Sequence, residues 1–173
     1  MTVTKRLKII TLGDPSVGKS TLVKRFCENR FVSKYLATIG VDYGVKPVTL
    51  PSNNSARVSF FDFSGLSDFL EVRNEFYSDS HGAILVFDVT NRSSFENLRN
   101  WIIEARRYDA PSSLIIHVCA NKVDKPPRTV SEDEARSFCQ TERVSYFETS
   151  ACTGSGVKEC FISLFSKIYE QIP

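Results

Sequence analysis

Lys19 and Ser20 close the stretch Gly13-Asp14-Pro15-Ser16-Val17-Gly18-Lys19-Ser20, a G-x-x-x-x-G-K-[ST] spacing that can cradle phosphate. Glycines in such a loop let backbone N–H groups converge on an anion with no Cβ in the way. An apolar run (Leu7, Ile9, Ile10, Leu12) precedes the stretch, and a helical pattern (Leu22, Val23, Phe26, Cys27) follows it. That is the strand-to-helix setting the motif requires. A helix opening near Gly18 adds unpaired N–H groups and the positive end of its dipole. Lys19 can then reach the outer phosphates, and the Ser20 hydroxyl can ligate Mg²⁺. Asp14, Pro15, Ser16, Val17, Gly18 and Thr21 line the same site. The bland alternative, a chance Gly-rich turn, needs four fixed positions to coincide in that one setting.

Three further constellations follow apolar runs. After Ser59-Phe60-Phe61 comes Asp62-Phe63-Ser64-Gly65, a D-x-x-G. An Asp leaving a buried strand beside a phosphate loop is placed to hold the Mg²⁺ shell, often through water. Gly65 offers an N–H to a terminal phosphate with no side chain to obstruct it. Alone, this motif is a weak signal. After Leu114 to Cys119 comes Ala120-Asn121-Lys122-Val123-Asp124, an N-K-x-D. The Asp124 carboxylate can accept hydrogen bonds from the N1–H and exocyclic amine of guanine. Adenine lacks that donor pair and would leave the charge unpaired. A polar turn is the alternative, and it weakens once the motif stands in order behind the phosphate loop. After Val144 to Phe147 comes Glu148-Thr149-Ser150-Ala151, where the Ala151 N–H can meet the guanine carbonyl.

Alternating strands and helices must position these groups. Residues 6–12 read as a strand, 19–28 as a helix, 29–41 as a loop, and 42–50 and 57–63 as two strands. Pro51-Ser52-Asn53-Asn54-Ser55 marks a turn that would let those two pair as an antiparallel hairpin. Residues 67–78 read as a weak, polar helix with little apolar anchoring, and the 29–41 loop is alike in that respect. Ala83 to Phe87 is a buried strand by its unbroken apolarity. Ser93 with Glu96, and Ser131 with Glu134, read as capping boxes. The first opens a helix with Phe95, Leu98, Ile102 and Ala105 on one face; the second opens one running to about Thr141. The last helix carries Phe161, Leu164, Phe165 and Ile168 at core spacing. Trp101 and the phenylalanines read as core. Six strands and five helices in this order predict an α/β fold: a six-stranded, mostly parallel sheet with one antiparallel edge strand and helices on both faces. In such a sheet, ligands sit beyond the carboxyl ends of the strands, where each motif falls.

Composition sets outer limits. A chain of 173 residues with 42% hydrophobic and 24% charged residues has the size and balance of one globular domain. A net charge of +2 gives no reason to expect nucleic acid or membrane as a partner. Cys27, Cys119, Cys139, Cys152 and Cys160 are scattered with no C-x-x-C, which argues against zinc and for free thiols in a reducing, cytoplasmic setting. No signal-peptide core or membrane-length apolar run is present. No Cys stands near a C-a-a-X end, so no lipid anchor is expected in this chain.

The phosphate loop, Thr38, D-x-x-G, N-K-x-D and Thr149-Ser150-Ala151 together resemble the Ras superfamily of small GTPases, over nearly the whole chain. Thr38-Ile39-Gly40-Val41-Asp42-Tyr43 looks like the Rab branch. Arg30-Phe31-Val32-Ser33-Lys34-Tyr35-Leu36-Ala37-Thr38-Ile39-Gly40 and Glu71-Val72-Arg73-Asn74-Glu75-Phe76-Tyr77 resemble the Rab-like GTPases that carry a C-terminal J domain (the RBJ/RJL group). The resemblance implies a P-loop G domain over 1–173, binding GTP or GDP with Mg²⁺, as a monomeric switch read by an effector at its mobile loops and served by an exchange factor. Phe31 matches the aromatic that packs against guanine. Tyr35 and Thr38 lie in the first switch, where Thr38 would join Ser20 and Asp62 around Mg²⁺ and contact the γ-phosphate. Lys19, Thr38, Gly65 and the position of Leu66 match the hydrolytic machinery, and Asn121, Lys122, Asp124, Ser150, Ala151 and Cys152 match the base-binding residues. A cytoplasmic location is implied, with nucleus or cilium as further sites by analogy. A non-switching GTP-binding module and a different P-loop enzyme, such as a kinase or ATPase, are the competing classes; Asn121 to Asp124 argues against the last.

Three departures from the family pattern stand out. Leu66 replaces the Gln that orients the attacking water, so hydrolysis is expected at or below the about 10⁻⁴–10⁻³ s⁻¹ of unaided Ras-type enzymes. Pro15 replaces a Gly, and its ring would crowd an arginine finger, so little or no response to such activators is expected. Cys152 replaces a Lys whose stem covers the base, so the base is held less closely while binding survives.

Overall fold

The computed structural model describes residues 4–173. Six strands form one sheet: β1 (Lys5–Leu12), β2 (Val41–Leu50), β3 (Asn54–Phe63), β4 (Gly82–Asp88), β5 (Ile115–Asn121) and β6 (Ser145–Glu148). Their order is β2-β3-β1-β4-β5-β6. Among the described residues only the β2–β3 pair is antiparallel, turning over Pro51–Asn53 with Val41 opposite Phe63 and Leu50 opposite Asn54. Every other pairing is parallel. The expected hairpin is present and each of its strands starts earlier than the apolar pattern marks.

Six helical segments cover the faces: α1 (Lys19–Glu28), α2 (Leu70–Arg73), α3 (Arg92–Glu96), α4 (Leu98–Arg107), α5 (Glu132–Glu142) and α6 (Val157–Gln171). Segments α3 and α4 meet at Asn97, which keeps helical dihedrals (φ −81°, ψ −8°). They run on as the one helix expected there, which makes five helices among the described residues. Strand alternation divides the core between the two faces. Leu7, Ile9, Phe60 and Val86 pack with Leu22, Phe161 and Phe165 on one face. Ile10, Leu12, Phe63, Leu85 and Phe87 pack with Leu98, Trp101 and Ala135 on the other. All seven residues of β4 are buried, as its unbroken apolar run requires.

Local signals hold in one capping box and fail in the other. Ser131 Oγ accepts from the Glu134 N–H at 3.2 Å and opens α5. Ser93 does not cap: the N-cap is Asn91, two residues earlier, and Ser93 lies inside the helix. The turn after β4 explains the shift. Asp88 Oδ1 accepts from both N–H and Oγ1–H of Thr90, and Ser94 Oγ donates to the Asn91 carbonyl while accepting from the Asp88 N–H. The chain is thereby bent into the helix before Ser93 is reached.

The weak helix expected at 67–78 is only a short α-turn, Leu70–Arg73, between 3-10 turns at Ser67–Phe69 and Asn74–Phe76. Its anchoring is stronger than its polar sequence suggests. The Tyr77 side chain is fully buried, and Arg73 is buried with its guanidinium paired to Glu104 at 2.6 Å. Residues 30–40, by contrast, have no regular structure and are largely exposed. Among the described residues no helix is long and apolar enough to cross a membrane.

Candidate functional site

The carboxyl ends of β1, β3, β5 and β6 open onto one crevice of about 580 Å³, a volume suited to a small-molecule ligand. Phosphate-loop residues Pro15, Ser16, Gly18, Lys19, Ser20 and Thr21 line it, with Phe31, Tyr35 and Thr38 from the 30–40 segment. Gly65, Leu66, Asn121, Lys122, Asp124, Ala151 and Cys152 complete its wall. Asp62 and Ser150 reach the same place through hydrogen bonds to lining residues. Every site residue expected from the sequence is in or against this crevice, apart from Asp14 and Val17, which support it from behind.

The phosphate loop is shaped by Gly18, whose φ of 101° lies in the left-handed region. A Cβ there would come within 2.3 Å of Asn121 Nδ2, so only glycine fits. Gly18 is the N-cap of α1, whose first N–H groups face the crevice end. Asn121 is buried and donates from Nδ2 to the Val17 carbonyl at 2.9 Å, while its Oδ1 accepts from Thr149 Oγ1 at 3.2 Å. Lys122 Nζ donates to the Ser16 carbonyl at 2.6 Å and pairs with Asp88 at 2.9 Å. Asn121 and Lys122 therefore fasten the base loop to the phosphate loop, a task the motif alone does not reveal. Asp124 Oδ1 accepts from Ser150 Oγ at 2.7 Å, which holds the carboxylate in the crevice wall.

Three hydroxyl and carboxylate oxygens converge below. Ser20 Oγ and Thr38 Oγ1 are 2.9 Å apart, and Ser20 Oγ donates to Asp62 Oδ2. Asp62 is held in turn by Thr11 Oγ1, which donates to Oδ1 at 2.6 Å while accepting from the Phe63 N–H at 3.0 Å. These are hard oxygen donors of the kind Mg²⁺ takes, and too few of them are anionic to hold it unaided. Among the described residues no group of three His, Cys, Asp or Glu side chains could do so either. Such a set fits a metal that shares its shell with phosphate and water.

Charge reinforces that fit. Lys19 is buried, donates to the Asp14 carbonyl at 2.8 Å, and has its pKa lowered to about 8, mainly by burial. The Asp62 and Asp14 carboxylates oppose that shift, and Arg73 adds to it. Asp62 is pushed the other way: burial raises its pKa against the hydrogen bonds from Ser20 and Thr11 and the charge of Lys19. A buried ammonium short of anions beside a buried carboxylate short of cations is a setting for a metal–phosphate pair.

Several contributors escaped the sequence. Trp101 belongs to the core by its ring, but its indole N–H donates to Asp14 Oδ1 at 2.9 Å, so reading it as core alone is incomplete. Asn97 Nδ2 donates to both oxygens of the same carboxylate. Arg25 reaches from α1 to the carbonyls of Ala151 and Cys152 and holds the base loop from beneath. Thr11 orients Asp62. Only Thr11 left a trace, as a lone hydroxyl among the apolar residues of β1.

A Ras family model matches residues 8–170. The protein named DnaJ homolog subfamily C member 27 of Danio rerio is 48% identical over 168 residues, covering 94% of this chain and 61% of the relative. Its namesakes in Homo sapiens and Mus musculus are 45% and 44% identical over 170 residues, covering 95% of this chain and 62% of theirs. The chain thus spans about three-fifths of the length of these relatives. The match agrees with the expected likeness to Rab-like GTPases that carry a J domain.

Proposed function

Because this chain belongs to the Ras family of small GTPases, we propose that it is a Rab-like guanine-nucleotide switch whose own GTP hydrolysis is very slow. One observation carries the reading: Ser20, Thr38 and Asp62 gather at the foot of a crevice whose far wall presents Asp124, with Leu66 at the position that should steer water. Lys19 and the phosphate loop bind phosphates; Ser20, Thr38 and Asp62 would hold Mg²⁺, which supplies charge neutralisation of the phosphate oxygens. Asp124, positioned by Ser150, selects guanine over adenine. Gly65 packs so closely on the phosphate loop that a Cβ would stand 2.5 Å from Pro15 N, and its N–H would meet a terminal phosphate. Leu66 is partly exposed and carries neither donor nor acceptor, so no side chain there orients a water for attack. Pro15 beside it crowds the approach of an arginine finger. The outcome is a protein that dwells in the GTP form, bound by an effector at the exposed 30–40 segment, reloaded by an exchange factor, and monomeric in the cytoplasm.

A second reading, a GTP-binding module whose loops do not switch, draws support from the burial of Arg73 and Tyr77, which ties the segment after Leu66 to α4. Two measurements test the proposal. Competition between GTP and ATP for the crevice should favour GTP by orders of magnitude. Single-turnover hydrolysis should run at or below about 10⁻³ s⁻¹; a faster rate, or equal binding of ATP, contradicts it.

A further inference from the structure

Arg73 lies outside the nucleotide motifs, yet it occupies the centre of a continuous chain of contacts from the phosphate loop to the loop that carries Leu66. Its guanidinium makes a fork on Glu104, with Nε to Oε1 at 2.6 Å and Nη2 to Oε2 at 3.0 Å. Tyr77 Oη donates to the same Glu104 Oε1 at 2.6 Å. The guanidinium carbon sits 4.8 Å from the centre of the Trp101 ring. From that fixed seat, Nη1 donates to the Leu66 carbonyl at 2.6 Å and the Ser64 carbonyl at 3.3 Å, on either side of Gly65. Trp101 in turn donates to Asp14. Gly65 is pressed onto the phosphate loop: a Cβ there would stand 2.5 Å from Pro15 N and 2.6 Å from the Asp14 carbonyl carbon. A buried arginine fork that loses no freedom when it binds is well suited to fixing a loop.

We propose that Arg73 is a positioning residue that, braced by Glu104 and Trp101, holds Gly65 against the phosphate loop and so selects the triphosphate over the diphosphate. The proposal rests on the reading of the crevice as a guanine-nucleotide site. The two carbonyls it grips flank Gly65, whose N–H, on that reading of the crevice, is the group a terminal phosphate would meet and an inner one would not. Holding that N–H in place ahead of binding removes part of the ordering cost from the triphosphate alone. The same chain makes Trp101 a reporter. It is the single tryptophan of the protein, with its N–H on Asp14 and its face under Arg73. A change in where Gly65 sits alters both sides of the indole.

The test compares wild type with Arg73→Lys and Glu104→Gln, each loaded with GDP or with a non-hydrolysable GTP analogue in Mg²⁺ buffer. Lys keeps the charge but loses the fork; Gln keeps the shape but loses the charge that braces it. Affinity for the analogue should fall on the order of tenfold in both, with GDP affinity changed by less than about twofold. Trp101 emission should differ between the two wild-type loaded forms, and that difference should shrink in both variants. Should Arg73→Lys fail to fold, Trp101→Phe keeps an aromatic ring under Arg73 while removing the pyrrole ring and its N–H to Asp14; it should lower analogue affinity in the same direction. Equal loss for GDP and the analogue, or none for either, overturns the proposal, as does identical emission from both wild-type forms. Wild type that binds neither nucleotide contradicts the nucleotide reading itself, a result distinct from these.

Discussion

Trp101 and Asp14, 87 residues apart, are joined by a 2.9 Å hydrogen bond from the indole N–H to the carboxylate. The bond sets a core helix directly against the phosphate loop. It means the loop is shaped from two sides: by Asn121 on Val17 from the base side, and by Trp101 with Asn97 on Asp14 from the α4 side. A loop braced at both ends is already in place for an anion, with less ordering left to be done on binding.

Leu66→Gln restores a donor and an acceptor beside the phosphate loop. Single-turnover hydrolysis should rise, by about tenfold or more if steering of water is the main defect. The measurement is release of phosphate from preloaded protein. An unchanged rate would mean that Pro15, and not Leu66, limits the reaction.

Asp124→Asn exchanges an acceptor pair for one donor and one acceptor. Guanine offers two donors on that edge, so one would face the amide N–H. Affinity for GDP should fall by about two orders of magnitude or more. Xanthine, which presents one donor and one carbonyl there, should be accepted better than guanine. Titration with the two diphosphates checks this. An unchanged preference for guanine would place the base elsewhere.

His117 supplies a pH dependence far from the crevice. It is fully buried on β5, its ring stacked at 4.9 Å on Phe147, with Nδ1 3.2 Å from the Cys160 carbonyl. Among the described residues Nε2 has no hydrogen-bond partner. Burial lowers its pKa to about 4, Lys167 adds to the shift, and the Cys160 carbonyl opposes it. The unfolded chain, with an ordinary pKa near 6.5, therefore binds the proton first. Stability is fully present above about pH 6.5 and is lost as pH falls toward 4, by about 3 kcal/mol in the limit. His117→Phe should remove this component. Urea unfolding at pH 7 and pH 4.5 should show wild type losing about 2–3 kcal/mol more than the variant. Parallel losses would contradict the assignment.

The parts of the fold legible in the sequence are those set by neighbours in the chain. The phosphate loop, the hairpin and the Ser131 cap need only local spacing, and all three stand where spacing puts them. What escaped depends on long-range placement. Arg73 sits among Asp68, Glu71 and Glu75 and reads as one more charge on a weak, polar helix; it turns inward because Glu104, on α4, waits there to pair with it. Trp101 reads as core because nothing in its own helix tells where its N–H will point. Ser93 misleads because a hydrogen-bonded turn at Asp88 starts the helix sooner. In the site, residue types were legible, whereas the fastening of one motif to another, such as Asn121 on Val17, needed the fold.

The most direct measurement is to denature freshly purified protein and to identify and quantify the nucleotide it releases. Guanine nucleotide near one equivalent, rich in GTP and lost on chelation of Mg²⁺, is expected. Protein that releases no nucleotide and takes up none when GTP and Mg²⁺ are supplied, or that carries adenine, would contradict the assignment of this crevice.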